Sequence, residues 1–338
     1  MPSTRFTDIG DAARRQYIDA AATFAALEVA AVRTLESRGG MHWKTAANGT
    51  LYLIRTNLAN GQKSLGVRDA RTEAMHAGFT ARKREAKDRV KKLSAALRTQ
   101  QRMNRALNVG RTPAIVVELL NALDAAEVSE PFTVVGTHAL YAYESAAGVR
   151  IDSAALATQD VDFLFDTRKR LRLATQLRKI DKSIIAILRK VDDSFRIKDG
   201  ERYSAVNDSG FAVDILRREV EEDDPHPLKL SDAEDEFWVV QARNAKKLLQ
   251  APRFSAIVMS ASGHMARMNT IHPKVFTSFK RWLAKQESRE PVKRSRDLLQ
   301  AKLVTQLVQE YLPQYANIHQ KVAEGVEGTL GDGQNKLT

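Results

Sequence analysis

The sequence contains no cysteine, which excludes disulfide staples and every thiolate metal site and fits a reducing compartment without demanding one. Histidine is also sparse, at seven residues. None falls at the spacing of a zinc site, so His138, His264 and His272 read as surface or capping residues. Long hydrophobic runs are missing too. The most apolar stretch, Ala20-Ala-Ala-Thr-Phe-Ala-Ala-Leu27, is followed by Glu28 and Arg33, well short of the ~20 residues that a membrane span requires. No membrane partner is expected. Met1-Pro-Ser-Thr-Arg-Phe-Thr-Asp8 lacks the apolar centre of a secretory signal, so the expected location is cytoplasmic. No internal repeat is visible. What the chain has in excess is positive charge, 53 Lys and Arg against 41 Asp and Glu for a net +12. That balance favours polyanionic partners such as nucleic acid and says nothing about fold.

The charge is concentrated. From Arg68 to Arg111 the chain is helical in character, with no proline and with glycine only at Gly78 and Gly110. There, thirteen Arg and Lys face four acids, a local excess of nine. The cluster Arg82, Lys83, Arg84, Lys87, Arg89, Lys91 and Lys92 is the candidate nucleic-acid contact; a solvated helix face is its bland alternative. Val90, Leu93, Leu97 and Met103 form a sparse apolar stripe, sufficient for one-sided packing. Upstream, Tyr17, Ala21, Phe24, Leu27, Ala31 and Leu35 recur on one face of a predicted helix over 11–38, with Gly39-Gly40 as its stop. Asn48-Gly49 and Asn60-Gly61 flank Leu51-Tyr-Leu-Ile-Arg55. Asn-Gly favours type I′ hairpin turns, so a three-stranded antiparallel meander is predicted.

The chemistry is expected further on. Ala157-Thr-Gln-Asp-Val-Asp-Phe-Leu-Phe-Asp166 is a short apolar run in which carboxylates replace the expected hydrophobes on one side. In a strand, Val161, Phe163 and Phe165 then face a core, while Asp160, Asp162, Leu164 and Asp166 share the other side. Carboxylates so close repel by roughly 3 kcal/mol at an effective dielectric of 20, so a cation is expected between them, and Mg²⁺ takes carboxylate and phosphate oxygens. Asp166 reads as a cap for the helix that follows. Before this run, Pro131-Phe-Thr-Val-Val-Gly-Thr137 reads as a buried strand ending in a glycine turn, followed by a helix at Ala139-Leu-Tyr-Ala-Tyr-Glu144. Gly136 lets backbone approach a ligand, and Thr137 offers a hydroxyl to phosphate at the helix start. A loop is expected over Ser145–Leu156. After the acid pair, Ser209-Gly-Phe-Ala-Val-Asp-Ile-Leu216 embeds one acid, Asp214, among apolar neighbours.

A strand ending in Gly-Thr, then Asp-x-Asp, then a lone strand Asp resembles the signature of the polymerase β-like nucleotidyltransferase superfamily. Val135-Gly-Thr-His-Ala-Leu-Tyr-Ala-Tyr-Glu144 followed by Ala157-Thr-Gln-Asp-Val-Asp162 is similar to a little-characterised bacterial group with that fold. The likeness extends over most of residues 40–312, including Pro273-Lys-Val-Phe-Thr-Ser-Phe-Lys280. It implies an α+β fold: a mixed sheet with flanking helices, an N-terminal helix, meander and basic helix over 1–112, a catalytic core over 113–260, and C-terminal helices over 261–323. Residues 324–338 are expected to be a disordered tail. It also implies two Mg²⁺ ions, with Mn²⁺ as the alternative, held by Asp160, Asp162 and Asp214, and a nucleoside triphosphate, ATP among the candidates, held by Gly136, Thr137 and Lys280. Asp214 would help deprotonate the acceptor. Lys280 and Asp297 resemble a lysine and aspartate that certain bacterial toxin nucleotidyltransferases place near the nucleotide. Thr137 stands where serine is usual, and His138 beside it is bulky. The implied reaction moves an NMP from an NTP to an acceptor hydroxyl and releases pyrophosphate, with RNA favoured over protein or a small molecule. The alternatives are a non-catalytic nucleic-acid-binding protein and a toxin–antitoxin component with an inactive core.

Overall fold

The computed structural model describes residues 6–58, 60–221, 224–226 and 228–316; the tail expected at 324–338 lies outside them. The chain forms two compact units, one of Arg15–Leu107 and one of Met1–Arg14 with Asn108–Thr338.

The first elements in chain order are β1 (Phe6–Asp8), α1 (Asp11–Glu36), the strands β2 (Gly40–Thr45), β3 (Leu51–Thr56) and β4 (Gln62–Val67), and α2 (Ala70–Ala106). The three strands β2 to β4 form the antiparallel meander expected from the sequence. Its turns are wider than type I′: Gly49 takes a positive φ of 80° but Asn48 does not, and Asn60 takes 60° but Gly61 does not. Hydrogen bonds from Gly49 to Ala46 and from Asn60 to Asn57 close these loops instead. The long α2 starts at a capping box, in which Asp69 accepts from the Thr72 amide and the Asp69 N–H donates in turn to Thr72 Oγ1. Between α1 and α2, the buried Gln16 donates to Gln100 Oε1 at 2.7 Å and Asn104 Oδ1 at 2.9 Å. This polar staple displaces two expected contacts. Met103 is exposed beside Asn104, and the buried face of α1 runs through Ala13, Gln16, Ala20 and Ala30, one residue round from the predicted face, leaving Leu35 exposed.

In the larger unit, α3 (Ala114–Ala125), β5 (Phe132–Val135), α4 (Ala139–Ala147), β6 (Val149–Ile151) and β7 (Asp160–Phe165) lead into α5 (Arg170–Ile180) and α6 (Ile184–Leu188). Then come β8 (Arg196–Lys198), β9 (Glu201–Val206), β10 (Ala212–Arg217), β11 (Val240–Gln241), α7 (Ala245–Gln250), β12 (Arg253–Met259) and β13 (Met265–Ile271), closed by α8 (Pro273–Ala284) and α9 (Pro291–Tyr311). The mixed sheet runs β12-β13-β5-β7-β10-β9-β8, with β11 against β10. This is the α+β architecture expected. The predicted loop after α4 holds a strand, because β6 pairs with β1 through three residues on each side. Three residues are too few to carry a readable alternation.

The core follows the strand period. Val161, Phe163 and Phe165 are buried on one face of β7, and the α4 stretch Ala139–Tyr143 is buried throughout. Tyr143 meets Phe254 and Phe276 edge-on at 5.2 and 5.5 Å, and its hydroxyl donates to the Ile271 carbonyl at 2.7 Å. Such rings contribute area and orientation together. The result is a firmly fixed centre strand, from whose other face the acids project.

Candidate active site

Register alone aligns the candidate residues. Antiparallel pairing sets Val135 of β5 opposite Asp162 of β7, and parallel pairing sets Asp162 opposite Asp214 of β10. The Gly136 turn, Asp162 and Asp214 therefore lie in one row across three neighbouring strands, about 4.8 Å per step. Asp160 stands two residues before Asp162, on the same face. One carboxylate oxygen from each of Asp160, Asp162 and Asp214 lies within 4.8 Å of the others.

Three carboxylates this close repel one another by about 3 kcal/mol per pair at an effective dielectric of 20. Burial, and then the charges of Asp160 and Asp214, push the Asp162 carboxyl up to about 7, against the opposing pull of Lys280 and Arg289. Burial likewise raises Asp214, with the Ser204 hydroxyl pulling it back. Asp214 Oδ1 is buried with no hydrogen-bond partner among the described residues, an arrangement costly enough to need a reason. A divalent cation fits this donor set: hard oxygen ligands, anionic, clustered and partly unsatisfied. Thr158 completes the group by donating its hydroxyl to Asp160.

Gly136 has φ of +70°, and a Cβ there would run into Asp162 Oδ2. Glycine is required twice over, by conformation and by space. Next to it, the buried Thr137 hydroxyl accepts a hydrogen bond of 3.1 Å from Gln300 Nε2. Gln300 is itself fully buried, and the same Nε2 donates to the Ala155 carbonyl at 2.6 Å. His138 is not a surface residue: it is 1% exposed, packed near Tyr141 and Phe211. Burial lowers its pKa to about 4 despite the opposing Asp160 charge, so the imidazole is neutral at pH 7. His272 is a cap as predicted, accepting from the Lys274 amide, and Asp166 caps the turn that precedes α5 while pairing with Arg168.

Beside the acids opens a cavity of about 440 Å³, with Gly136 and Asp162 at one end and Phe279, Trp282, Leu248 and Lys280 among its walls. Phe279 and Trp282 stack at 5.9 Å with their planes 19° apart. Lys280 Nζ lies 2.9 Å from Asp297 Oδ1, and Arg289 Nε lies 2.9 Å from Asp297 Oδ2. Asp297 is fully buried between these cations. Burial lowers the Lys280 pKa while Asp297 raises it. The structure thus brings together Asp160, Asp162, Asp214, Gly136, Thr137 and Lys280. Sequence reading missed Thr158, which bonds Asp160 from two residues away, Arg289, which pairs with Asp297 from a loop eight residues off, and Ser204 and Gln300, which reach the site only through tertiary contacts.

The basic cluster is part of the other unit. Arg82, Arg84, Lys87, Arg89, Lys91 and Lys92 are exposed on α2, whereas Lys83 is half-buried and donates to the Gly39 carbonyl. Lys83 is already occupied by its own fold.

A nucleotidyltransferase family model matches residues 114–324. No curated protein and no solved structure matches the chain. Among the described residues, no helix is long and apolar enough to cross a membrane.

Proposed function

The chain belongs to this nucleotidyltransferase family, and from that premise we propose that it transfers an NMP from a nucleoside triphosphate to an acceptor hydroxyl, RNA being the favoured acceptor. The observation that carries the reading is the row of Asp160, Asp162 and Asp214, with Asp214 Oδ1 buried and unpartnered. Asp160, Asp162 and Asp214 would hold two Mg²⁺ ions. When bound, such a pair neutralises the phosphate oxygens and supports both attacking and leaving oxygens of an in-line displacement.

The remaining work falls to the chain's own groups. The side-chain-free Gly136 turn lets the Asp162 carboxylate come against the backbone just before α4, where the helix start suits a phosphate. Gln300 fills an acceptor lone pair of Thr137, so the Thr137 hydroxyl hydrogen is free to be donated to a phosphate oxygen. Turning the Gln300 amide over would set its oxygen against the Ala155 carbonyl, which fixes that orientation. The apolar cavity wall of Phe279, Trp282 and Leu248 suits a base, and Lys280 at its edge suits the triphosphate. Asp214 Oδ1 takes the proton of the acceptor hydroxyl as its oxygen bonds to the α-phosphorus. The bond from that phosphorus to the bridging oxygen breaks, and pyrophosphate leaves with the electron pair. We assign this chemistry to 113–260, with Phe279, Lys280 and Trp282 of α8 adding to a cavity wall that Leu248 and Leu216 share.

The test is incubation with each of four α-labelled nucleotides and whole-cell RNA or protein, with Mg²⁺, with Mn²⁺ or with chelator. Label that appears only with metal, and is lost in Asp162→Asn, is expected. A protein that binds RNA but labels nothing under any of these conditions overturns the transferase reading in favour of a nucleic-acid-binding role.

A further inference from the structure

The N-terminal unit contains a cleft of about 950 Å³, more than twice the volume of the cavity beside the acids, formed by α1, β3 and α2. Its walls carry Arg33 from α1, Arg55 from β3, and Arg82, Arg89 and Lys92 from α2. Arg55 is fixed in place. Its guanidinium lies 4.3 Å from the Phe79 ring centroid, and it donates to the Gly40 carbonyl at 3.1 Å and the Arg38 carbonyl at 2.9 Å. Arg33, Arg82, Arg89 and Lys92 are exposed, and among the described residues none of them forms an ion pair or hydrogen bond. This holds although Glu36, Glu85 and Asp88 line the same cleft.

These observations specify a ligand. A rigid, planar guanidinium seated on a ring is a platform for a flat aromatic group. Uncommitted Arg and Lys side chains around it match phosphates, and carboxylates on the wall accept from amino groups on base edges. Acids among the cations would repel a continuous double phosphate backbone, and a duplex hides the base edges and faces that this wall could read. Unpaired RNA exposes them: its bases stack on aromatic or guanidinium planes while its phosphates lie along the rim. We infer that this cleft binds a single-stranded segment of RNA, with one unpaired base stacked over Arg55 and the flanking phosphates on Arg82, Arg89 and Lys92.

The inference rests on the reading of RNA as acceptor and narrows it. It also separates the basic residues of α2 into two sets. Arg82, Arg89 and Lys92 line the cleft, whereas Arg84, Lys87 and Lys91 follow one another at i, i+3 and i+7 and are absent from its lining.

Fluorescence anisotropy of the full chain would test it, using a labelled oligo-U or oligo-A twelve-mer and a blunt RNA duplex of the same length. Single strands should bind at least about tenfold tighter than the duplex. The double variant Arg82→Ala/Arg89→Ala, at two exposed positions, should weaken single-strand binding at least about tenfold and leave duplex binding unchanged. Its salt dependence should become shallower by about 1.4 in logarithmic slope, at −0.7 per phosphate contact for single strands. Inorganic polyphosphate should compete poorly, since it has no base to stack. Equal affinity for the duplex, full competition by polyphosphate, or an unchanged double variant would each overturn the cleft assignment while leaving RNA as the acceptor. A wild-type chain that binds no RNA at low salt would overturn both.

Discussion

Two cavities of this protein hold their charges in opposite ways. Beside the acids, Asp297 is fully buried between Lys280 and Arg289, and burial pushes the Asp162 carboxyl up to about 7. In the cleft of the N-terminal unit, Arg33, Arg82, Arg89 and Lys92 stand exposed without ion pairs among the described residues. A desolvated charge costs several kcal/mol unless its partners are in place, so each member of the first group constrains the fold. An exposed charge costs almost nothing, and its presence argues for a partner only through its arrangement. Substitutions should therefore be felt in stability and chemistry together at the first cavity, and in binding alone at the second.

The largest effect is expected at the acid row. Asp160→Asn, Asp162→Asn and Asp214→Asn should each lower transfer by at least about a thousandfold, measured as label incorporated per enzyme, with circular dichroism unchanged. Asp162→Asn should also alter the pH dependence of stability. The folded carboxyl, pushed up first by burial and then by Asp160 and Asp214 against the pull of Lys280 and Arg289, titrates at about 7 against an ordinary 3.8. The native state thus holds this proton more tightly than the unfolded chain does. The resulting stabilisation is complete below pH 3.8 and is lost as pH rises to 7. Melting in chelator should show the wild-type Tm falling across that window and a flatter profile for Asp162→Asn. Identical profiles would mean that Asp162 is no more crowded than a surface acid.

Next in size is the buried ion cluster. Asp297→Ala leaves Lys280 and Arg289 without their acceptor and should cost about 3–5 kcal/mol in urea unfolding. Adding Lys280→Met to Asp297→Leu, which removes both members of the most buried pair, should restore part of that loss, because the buried Lys280 charge is no longer stranded and Arg289, 28% exposed, can reach water. If the paired variant is as unstable as Asp297→Ala, packing and not charge compensation holds this corner together. Regained stability without regained transfer would separate the structural contribution of Lys280 from its contribution to nucleotide binding.

A smaller effect tests the hydrogen bond behind the phosphate turn. Gln300→Leu should weaken NTP binding about tenfold, the value of one hydrogen bond to a charged group, while NMP binding stays unchanged. In a Thr137→Ala background the same substitution should add little, because Gln300 acts through that hydroxyl. Calorimetry with both nucleotides on the single and double variants decides it. Equal losses for NTP and NMP would make Gln300 a packing residue.

Most of the acid row was legible because strand geometry is local: alternation in Asp160-Val-Asp-Phe-Leu-Phe165 sets which side chains share a face, and Gly-Thr marks a turn. The register that aligns Asp162 with Asp214 is not local, although the pattern of each strand anticipates its face. Gln300 was illegible, since it meets Thr137 from 163 residues away and sits in a helix whose pattern marks it only as polar. Arg289 was illegible for another reason: it contacts Asp297 from the connection between α8 and α9, where no helical or strand period places a side chain. His138 was misread because histidine is amphipathic, and only the tertiary packing near Tyr141 and Phe211 decides that it is buried. On α2, helical spacing alone puts Arg84, Lys87 and Lys91 on one face, whereas the cleft lined by Arg82, Arg89 and Lys92 exists only in the tertiary structure.

That division supplies the mildest test. Arg84, Lys87 and Lys91 are exposed on adjacent turns of one face of α2, and Arg98, Arg102 and Arg105 continue the line at helical spacing, for about 31 Å at 1.5 Å per residue. Charge reversal of the first three to Glu should leave unfolding within about 0.5 kcal/mol of wild type, since each is solvated and away from a core contact. RNA binding should weaken uniformly across sequences, because phosphates carry no base information. Its logarithmic salt slope should become shallower by about 2, at −0.7 for each of three single-strand contacts. NTP affinity should not change. The stripe variant and the cleft variant should differ in kind: the stripe variant loses single-strand and duplex binding alike, the cleft variant only the single strand. If the stripe variant binds RNA and modifies its acceptor as the wild type does, this face of α2 is simply solvated, and the acceptor is to be sought among proteins or small molecules.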